Sequence, residues 1–374
     1  MYASNTGVVQ FCNGQNWVDT ACAANRTPGG SGCSGKPAGA IQYVGGTVNE
    51  LQFCDSTNWV AMGWGCAGGS VDTSCGENWV AGVNTPVRNW TSITYGNGLF
   101  VAVSSSGSGN RVMTSPDGIT WTERVSAADN GWNSVTYGNG LFVAVAMTGT
   151  GNRVMTSPDG ITWTIRTTPA DNNWASVTYG NGLFVAVAIS GTGNRVMTSP
   201  DGINWTLRTS PADNNWRSVT YGNGLFVAVA GTGTGNRVMT SPNGITWTLR
   251  TSAADNAWQG LTYGNGLFVA VATSGTGNRI MTSPDGINWT IRASVADYGW
   301  TSVTYGNGLF VAVAATGGSS TNDMMTSTDG ITWTGRDAIN HIAWYAITYG
   351  NKRFVAIAFS GFGGDRAMSA SCNR

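Results

Sequence analysis

The chain of 374 residues carries little charge: Lys, Arg, Asp and Glu together make up 10%, and they cancel to a formal net charge of zero. Nucleic-acid binders carry a basic excess, so a nucleic-acid partner is not indicated. Histidine occurs once, as His341, and glutamate only at Glu50, Glu77 and Glu123. That leaves little for general acid–base or metal chemistry: paired carboxylates must sit in two different environments, and near-identical repeats offer the same environment again and again. No apolar run approaches the length of about 18 residues needed to cross a bilayer, so membrane insertion is not expected. Met1 is followed by Tyr-Ala-Ser-Asn, with no basic and apolar leader, which reads as a chain not exported by that route or as a processed form. Calcium loops of D-x-D-x-D-G type are missing. The Gly107-Ser-Gly109-Asn110 segment lacks the helix and Lys of a phosphate loop. No cofactor or metal is expected, and the chain reads as a non-enzyme.

What is abundant is glycine, with 54 residues, and tryptophan, with 17. Trp90, Trp132, Trp174, Trp216, Trp258 and Trp300 stand 42 residues apart, and Trp344 follows after 44. Each opens a copy of W-x-S-V-T-Y-G-N-G-L-F-V-A-V-A, making seven copies. One copy reads as four strands: Trp132 to Tyr137, Leu141 to Ala146, Arg153 to Ser157, and Ile161 to Arg166. Asn139-Gly140 makes the first turn, because Asn-Gly accepts positive φ; Pro158-Asp159-Gly160 makes the third. The L-F-V-A-V-A run is apolar on both faces, as expected where sheets pack against neighbours on either side. A buried helix is the alternative, but the run has six residues between glycines. Four short strands at about 40–50 residues per repeat indicate an all-β, seven-bladed β-propeller.

The last copy ends at Arg374 without a fourth strand, whereas Trp79-Val-Ala, before the first copy, resembles one. An N-terminal strand is therefore expected to complete the last blade and remove two open sheet edges. Cys75 and Cys372 flank these segments and are expected to form a disulfide, worth about 4–5 kcal/mol in the chain-entropy model; two free thiols are the alternative.

The run Ser157-Pro-Asp159-Gly160-Ile-Thr-Trp163 recurs from Ser115, Ser199, Ser241, Ser283 and Ser327, with Asn243 replacing Asp once. It resembles the Asp-box of sialidase-type propellers, shortened by one residue between Asp and Gly. The resemblance implies a structural role for Asp117, Asp159, Asp201, Asp285 and Asp329. The whole repeat, over residues 89–371, is similar to repeats of bacterial surface proteins and phage tail fibres, which implies an exposed, adhesive setting.

Residues 1–75 read as a small cysteine-rich β domain of two sub-repeats, Gln10–Val18 and Gln52–Val60, and residues 76–374 as the propeller. Such a small unit needs staples, so an extracellular or cell-surface location is favoured. Zinc is the alternative reading of the cysteines, but no C-x-x-C pair occurs. The first sub-repeat lacks a counterpart to the strand Ala40–Val44, which must come from upstream residues no longer present, from a rearranged sheet or from another subunit, and seven cysteines leave at least one without a partner within the chain. Both features point to self-association through residues 1–75, by strand addition or an intermolecular disulfide.

The repeat itself points to binding, because equivalent weak sites give avidity. The loop after the fourth strand carries Asp129, Asp171, Asp213 and Asp255, each just before Trp132, Trp174, Trp216 and Trp258. The loop between the second and third strands, at the same end, carries Arg153, Arg195, Arg237 and Arg279. Asp, Arg and a Trp face together suit carbohydrate, so these are the candidate ligand-binding residues and surface glycans the candidate partner. In the alternative, Asp pairs with Arg to cap blades and Trp is core. An adhesin- or lectin-like function is the first reading, and a subunit of an extracellular filament the second. The positions after each Trp vary most, which disfavours seven equal sites unless those side chains face the channel.

Overall fold

The computed structural model describes residues 75–315, 321–360 and 365–372, together with the backbone of six short strands between residues 2 and 62. The chain divides into two units, residues 1–73 and residues 74–373. In the first, two three-stranded antiparallel sheets form, Ile41–Val44 with Glu50–Cys54 and Trp59–Met62, and Tyr2–Ala3 with Val9–Cys12 and Trp17–Asp19. The strand expected to be missing from the first sub-repeat is thus supplied by Tyr2–Ala3 of the chain itself. The cysteine pairing expected in this segment, and its role in self-association, fall outside the described residues.

The second unit is a seven-bladed β-propeller of four-stranded antiparallel sheets. In the blade opened by Trp132 the strands are Trp132–Gly138, Leu141–Ala146, Val154–Ser157 and Thr164–Arg166, paired in that order. First strands of successive blades pack on one another right around the ring, the seventh on the first, which puts them at the axis. Asn139 and Gly140 take φ of 49° and 75°, the left-handed pair that a two-residue hairpin of matching twist requires. The fourth strand starts later than the sequence pattern indicates. The amides of Ile161 and Thr162 are taken by the Asp159 carboxylate, at 2.8 Å each, and so belong to the turn.

The doubly apolar run serves two interfaces with one period. Val143 and Val145 pack with Trp174, Phe184, Ala186 and Met197 of the next blade. Phe142, Ala144 and Ala146 face the other way, onto Val101 and Val103 of the preceding blade. The valines of one blade thus meet the Phe and Ala face of its neighbour. A second contact closes each joint: a Cβ on Gly138 would overlap the Tyr179 ring, and the same relation runs around the ring to Gly350 against Tyr95.

Trp79–Ala81 pairs with Ala367–Ser371 as the fourth strand of the last blade. The Gly82 amide extends the pairing to the Ala367 carbonyl at 2.8 Å. Cys75 and Cys372 form the disulfide, with Cα atoms 4.3 Å apart and a sequence separation of 297. The edges that would have been left open are therefore paired and covalently tied.

Candidate functional site

Two ends of the propeller must be distinguished. The turn end carries the Asn-Gly hairpins and the Ser-Pro-Asp-Gly turns; the loop end carries the longer connections and the residues expected to bind ligand. At the turn end the Ser and Asp of the third turns are engaged locally. The Asp159 carboxylate accepts from the Thr162 and Ile161 amides and from the Ser157 hydroxyl, and the Gly160 amide donates to Ser157 Oγ. The Thr162 amide first, then, against the cost of burial, the Ile161 amide and the Ser157 hydroxyl hold the Asp159 carboxyl below the usual carboxylate range.

At the loop end, Arg153 spends its guanidinium on its own loops. Nε donates to the Gly149 carbonyl at 2.8 Å, and Nη1 to the Met147 carbonyl at 2.7 Å and to Asn173 Oδ1 at 2.9 Å. Asp171 lies 3.6 Å from Nε and accepts from the Gly151 amide at 2.7 Å. The pairs Arg195–Asp213, Arg237–Asp255, Arg279–Asp297 and Arg111–Asp129 repeat this geometry at 3.5–3.6 Å. Trp132, Trp174, Trp216 and Trp258 are fully buried, each indole N–H donating to the carbonyl four residues earlier. The structure therefore brings Asp, Arg and Trp together at every one of these joints but leaves no Trp face open to a sugar. The Arg donors hold the loop against the blade, each bond to a charged group being worth roughly 1.5–3 kcal/mol.

The joint before the last blade inverts this arrangement. Asp323 occupies the Arg position and His341 the Asp position. Asp323 has no exposed side-chain surface; it accepts from the Ala338 amide at 2.7 Å, and its other oxygen lies 3.2 Å from His341 Nδ1. Burial, opposed by the Ala338 amide and by His341, pushes the Asp323 carboxyl up from its ordinary value. With Asp323 ionised, Nδ1 carries the proton and the partly exposed imidazole keeps Nε2 as an acceptor.

The residue after each Trp is the least repetitive feature of the ring, and the geometry explains its freedom. It lies at a register shift between Trp and the residue two further on, as at Trp216/Ser218. A β-bulge of this kind leaves the extra residue unpaired and re-aims its side chain. Thr91, Asn133 and Thr301 use that side chain to bond the backbone carbonyl of the next blade at 2.7, 2.6 and 3.0 Å. Arg217, Gln259 and Tyr345 make no hydrogen bond or ion pair with the described residues. Arg217 and Tyr345 stand on blades that do not adjoin, yet the guanidinium acts on the phenol electrostatically across the ring. Burial raises the Tyr345 phenol above its ordinary value, with Arg217 pulling the other way.

Space at the mouth is adapted to these residues. Arg217 packs over Gly231, within 3.5 Å of where a Cβ would stand. Other blades carry Met147, Ile189, Thr273 or Phe359 at that position. Tyr345 stacks on Phe359 with ring centroids 5.3 Å apart. A shallow outer groove of about 410 Å³ between two blades is lined by Ile165, Arg166, Thr168, Ile203, Asn204 and Trp205 among others. No group of three or more His, Cys, Asp or Glu able to hold a metal occurs among the described residues.

The fold and this site define a seven-bladed propeller with an individual channel mouth. No family model matches the chain, and no curated protein matches it in sequence. Among solved structures it is similar to virginiamycin B lyase from Staphylococcus aureus, with a TM-score of 0.65 and 14% identity over 79% of this chain and 99% of that one. A catalytically inactive histidine-to-alanine variant of that lyase, holding quinupristin, matches with a TM-score of 0.66 and 13% identity over 79% and 99% of the two chains. YCF48 bound to a D1 peptide matches with a TM-score of 0.59 and 16% identity over 79% and 97%. At these identities the likeness is one of fold. The expectation that the chain is not an enzyme is corrected by the lyases: catalysis is carried on this architecture, so repetition of blades does not exclude it.

Proposed function

We propose that the protein is a surface-displayed or secreted binding protein, adhesin-like in use, whose ligand seats at the loop-end mouth of the central channel. The observation that carries this reading is the contrast within the loop end. The repeated Arg–Asp braces and buried Trp residues are satisfied internally, whereas Arg217, Gln259 and Tyr345 sit at bulges with unspent polar groups. Concave sites with a few convergent polar groups are where ligands bind, and YCF48, of the same architecture, holds a peptide. We read the Ser-Pro-Asp-Gly turns as shortened Asp-boxes; the Ser–Asp–amide bonding supports that reading. The test is a panel of immobilised glycans and peptides probed with the full chain, then with Tyr345→Ala plus Gln259→Ala and with Asp171→Ala. Binding lost only in the channel variant supports the reading; binding lost only with Asp171→Ala returns the site to the braces.

A second reading, catalysis at the inverted joint, is favoured by the imidazole of His341 held against buried Asp323. A partly exposed Nε2 backed by a buried carboxylate is the arrangement of a general base, and the lyase of similar fold is inactive without one of its histidines. Mass-spectrometric turnover of quinupristin, present in the full chain and absent in His341→Ala, would support it; no turnover in either removes it for that substrate.

A further inference from the structure

Resting on the channel-mouth reading, we infer that the site recognises the oxyanion of an acidic saccharide, a carboxylate or a sulfate ester, through the Arg217 guanidinium.

The argument begins with charge. The chain has no net charge, so attraction of an anion has to be local. The fourteen positions at the mouth, the residue after each Trp and the residue after each second-strand Ala or Ser104, include one cation and no carboxylate. The arginines of the five braces, such as Arg153, are tied by carbonyls and an Asp. Arg217 has no such partner among the described residues. A half-buried guanidinium in a walled channel focuses field toward the mouth, and its planar fork matches a carboxylate or sulfate with two parallel hydrogen bonds.

The surroundings are shaped for an anion carried on a hydroxylated body. Gly231 leaves room for the Arg217 side chain to lie back against the wall. Tyr345, its phenol kept protonated by burial, faces the same space as a donor, its ring set by Phe359. Gln259 adds an amide that both donates and accepts, suited to sugar hydroxyls. Thr91, Asn133 and Thr301 have side chains already spent on the next blade and Ala175 has no polar group, so free polar groups stand at only three of the seven positions and give the ligand an orientation.

The experiment is binding of the full chain to immobilised uronate-bearing, sulfated and neutral glycans of matched length, in low and in physiological salt. It is run for the natural protein, Arg217→Ala, Arg217→Lys and Tyr345→Ala plus Gln259→Ala, with melting temperatures recorded for each. Expected are signal on the acidic arms above the neutral one, a loss of at least tenfold in Arg217→Ala at unchanged melting temperature, and a partial loss in Arg217→Lys. The uronate and sulfate arms tell the two oxyanions apart. Equal binding of neutral glycans, binding that survives Arg217→Ala, or a silent array overturns the inference. If Tyr345→Ala plus Gln259→Ala abolishes binding that Arg217→Ala leaves intact, the channel-mouth site stands and only the oxyanion falls. If neither variant changes binding, the site itself falls.

Discussion

The two ends of the propeller are made by the same strands, but they follow different rules. At the turn end every blade repeats: Asn-Gly at the hairpin, Gly against the next Tyr, Ser and Asp closing the third turn. The disulfide lies there too, since the Cys372 amide donates to the carbonyl of Lys352 in the last hairpin. At the loop end the Arg–Asp brace repeats five times, is inverted once at Asp323–His341, and encircles a mouth where blades differ. A residue that serves the ring must recur, because each joint poses the same packing problem. A residue that departs from the repeat without loss of packing is free for something else.

The largest effect expected from breaking this division is at the turn end. Replacing Cys75 and Cys372 by Ser leaves the ring to be closed by Trp79–Ala81 and packing alone, and costs about 4–5 kcal/mol. Urea unfolding should show it as a lowered midpoint, with glycan or peptide binding unchanged at low temperature. Next comes Gly138→Ala. Its methyl would meet the Cβ and ring of Tyr179, which are anchored to a buried strand and cannot retreat. Overpacking of that kind costs about 1–3 kcal/mol, and the upper end is expected here; a change under 0.5 kcal/mol, on the order of what a surface site shows, would break the claim that this contact sets blade spacing.

The loop end gives smaller stability effects and sharpens the comparison between two arginines. Arg153→Ala removes three hydrogen bonds and leaves part-buried loop carbonyls without those donors, so a loss of about 2 kcal/mol is expected. Arg217→Ala removes a side chain with no partner among the described residues and should change stability by less than about 0.5 kcal/mol. Chemical denaturation of both variants checks the pair; equal losses would mean that Arg217 is one more brace.

Most of the turn end was legible from residues alone. The period of Trp90 to Trp344, the Asn-Gly and Asp-Gly turns and the stray strand at Trp79 specify seven sheets and their closure, because they report backbone geometry, which sequence encodes locally. The loop end was read correctly as to which residues converge and less well as to what they do. Asp171, Trp174 and Arg153 do meet, but strand order cannot say that Trp174 is fully buried or that Arg153 is consumed by carbonyls of its own loop. The variable position after each Trp was visible in the sequence. Its meaning was not, because the bulge that re-aims it depends on a one-residue register shift between paired strands. The matching of Arg217 to Gly231 and of Tyr345 to Phe359 offered a further signal, readable once the two positions are known to be neighbours.

The smallest effect is also the most discriminating, because the two ends should respond to acid with opposite sign. Asp159 at the turn end has its carboxyl lowered, first by the Thr162 amide. Its contribution is present above the unfolded value of about 3.9 and is lost as pH falls through the lower folded value. Asp323 at the loop end has its carboxyl raised by burial. Its contribution is present below about 3.9 and is lost as pH rises through the higher folded value, where the buried group must ionise with only the Ala338 amide and His341 to offset its burial. Asp323→Asn keeps an acceptor for the Ala338 amide and removes that ionisation, so the variant should gain on the natural protein as pH rises from about 4 toward 7. Asp159→Asn should do the reverse, losing ground over the range in which Asp159 becomes ionised. Urea midpoints at several pH values for the two variants read both signs in one series. A parallel pH dependence would show that Asp323 is accommodated as the turn aspartates are, and that the inverted joint is only another brace.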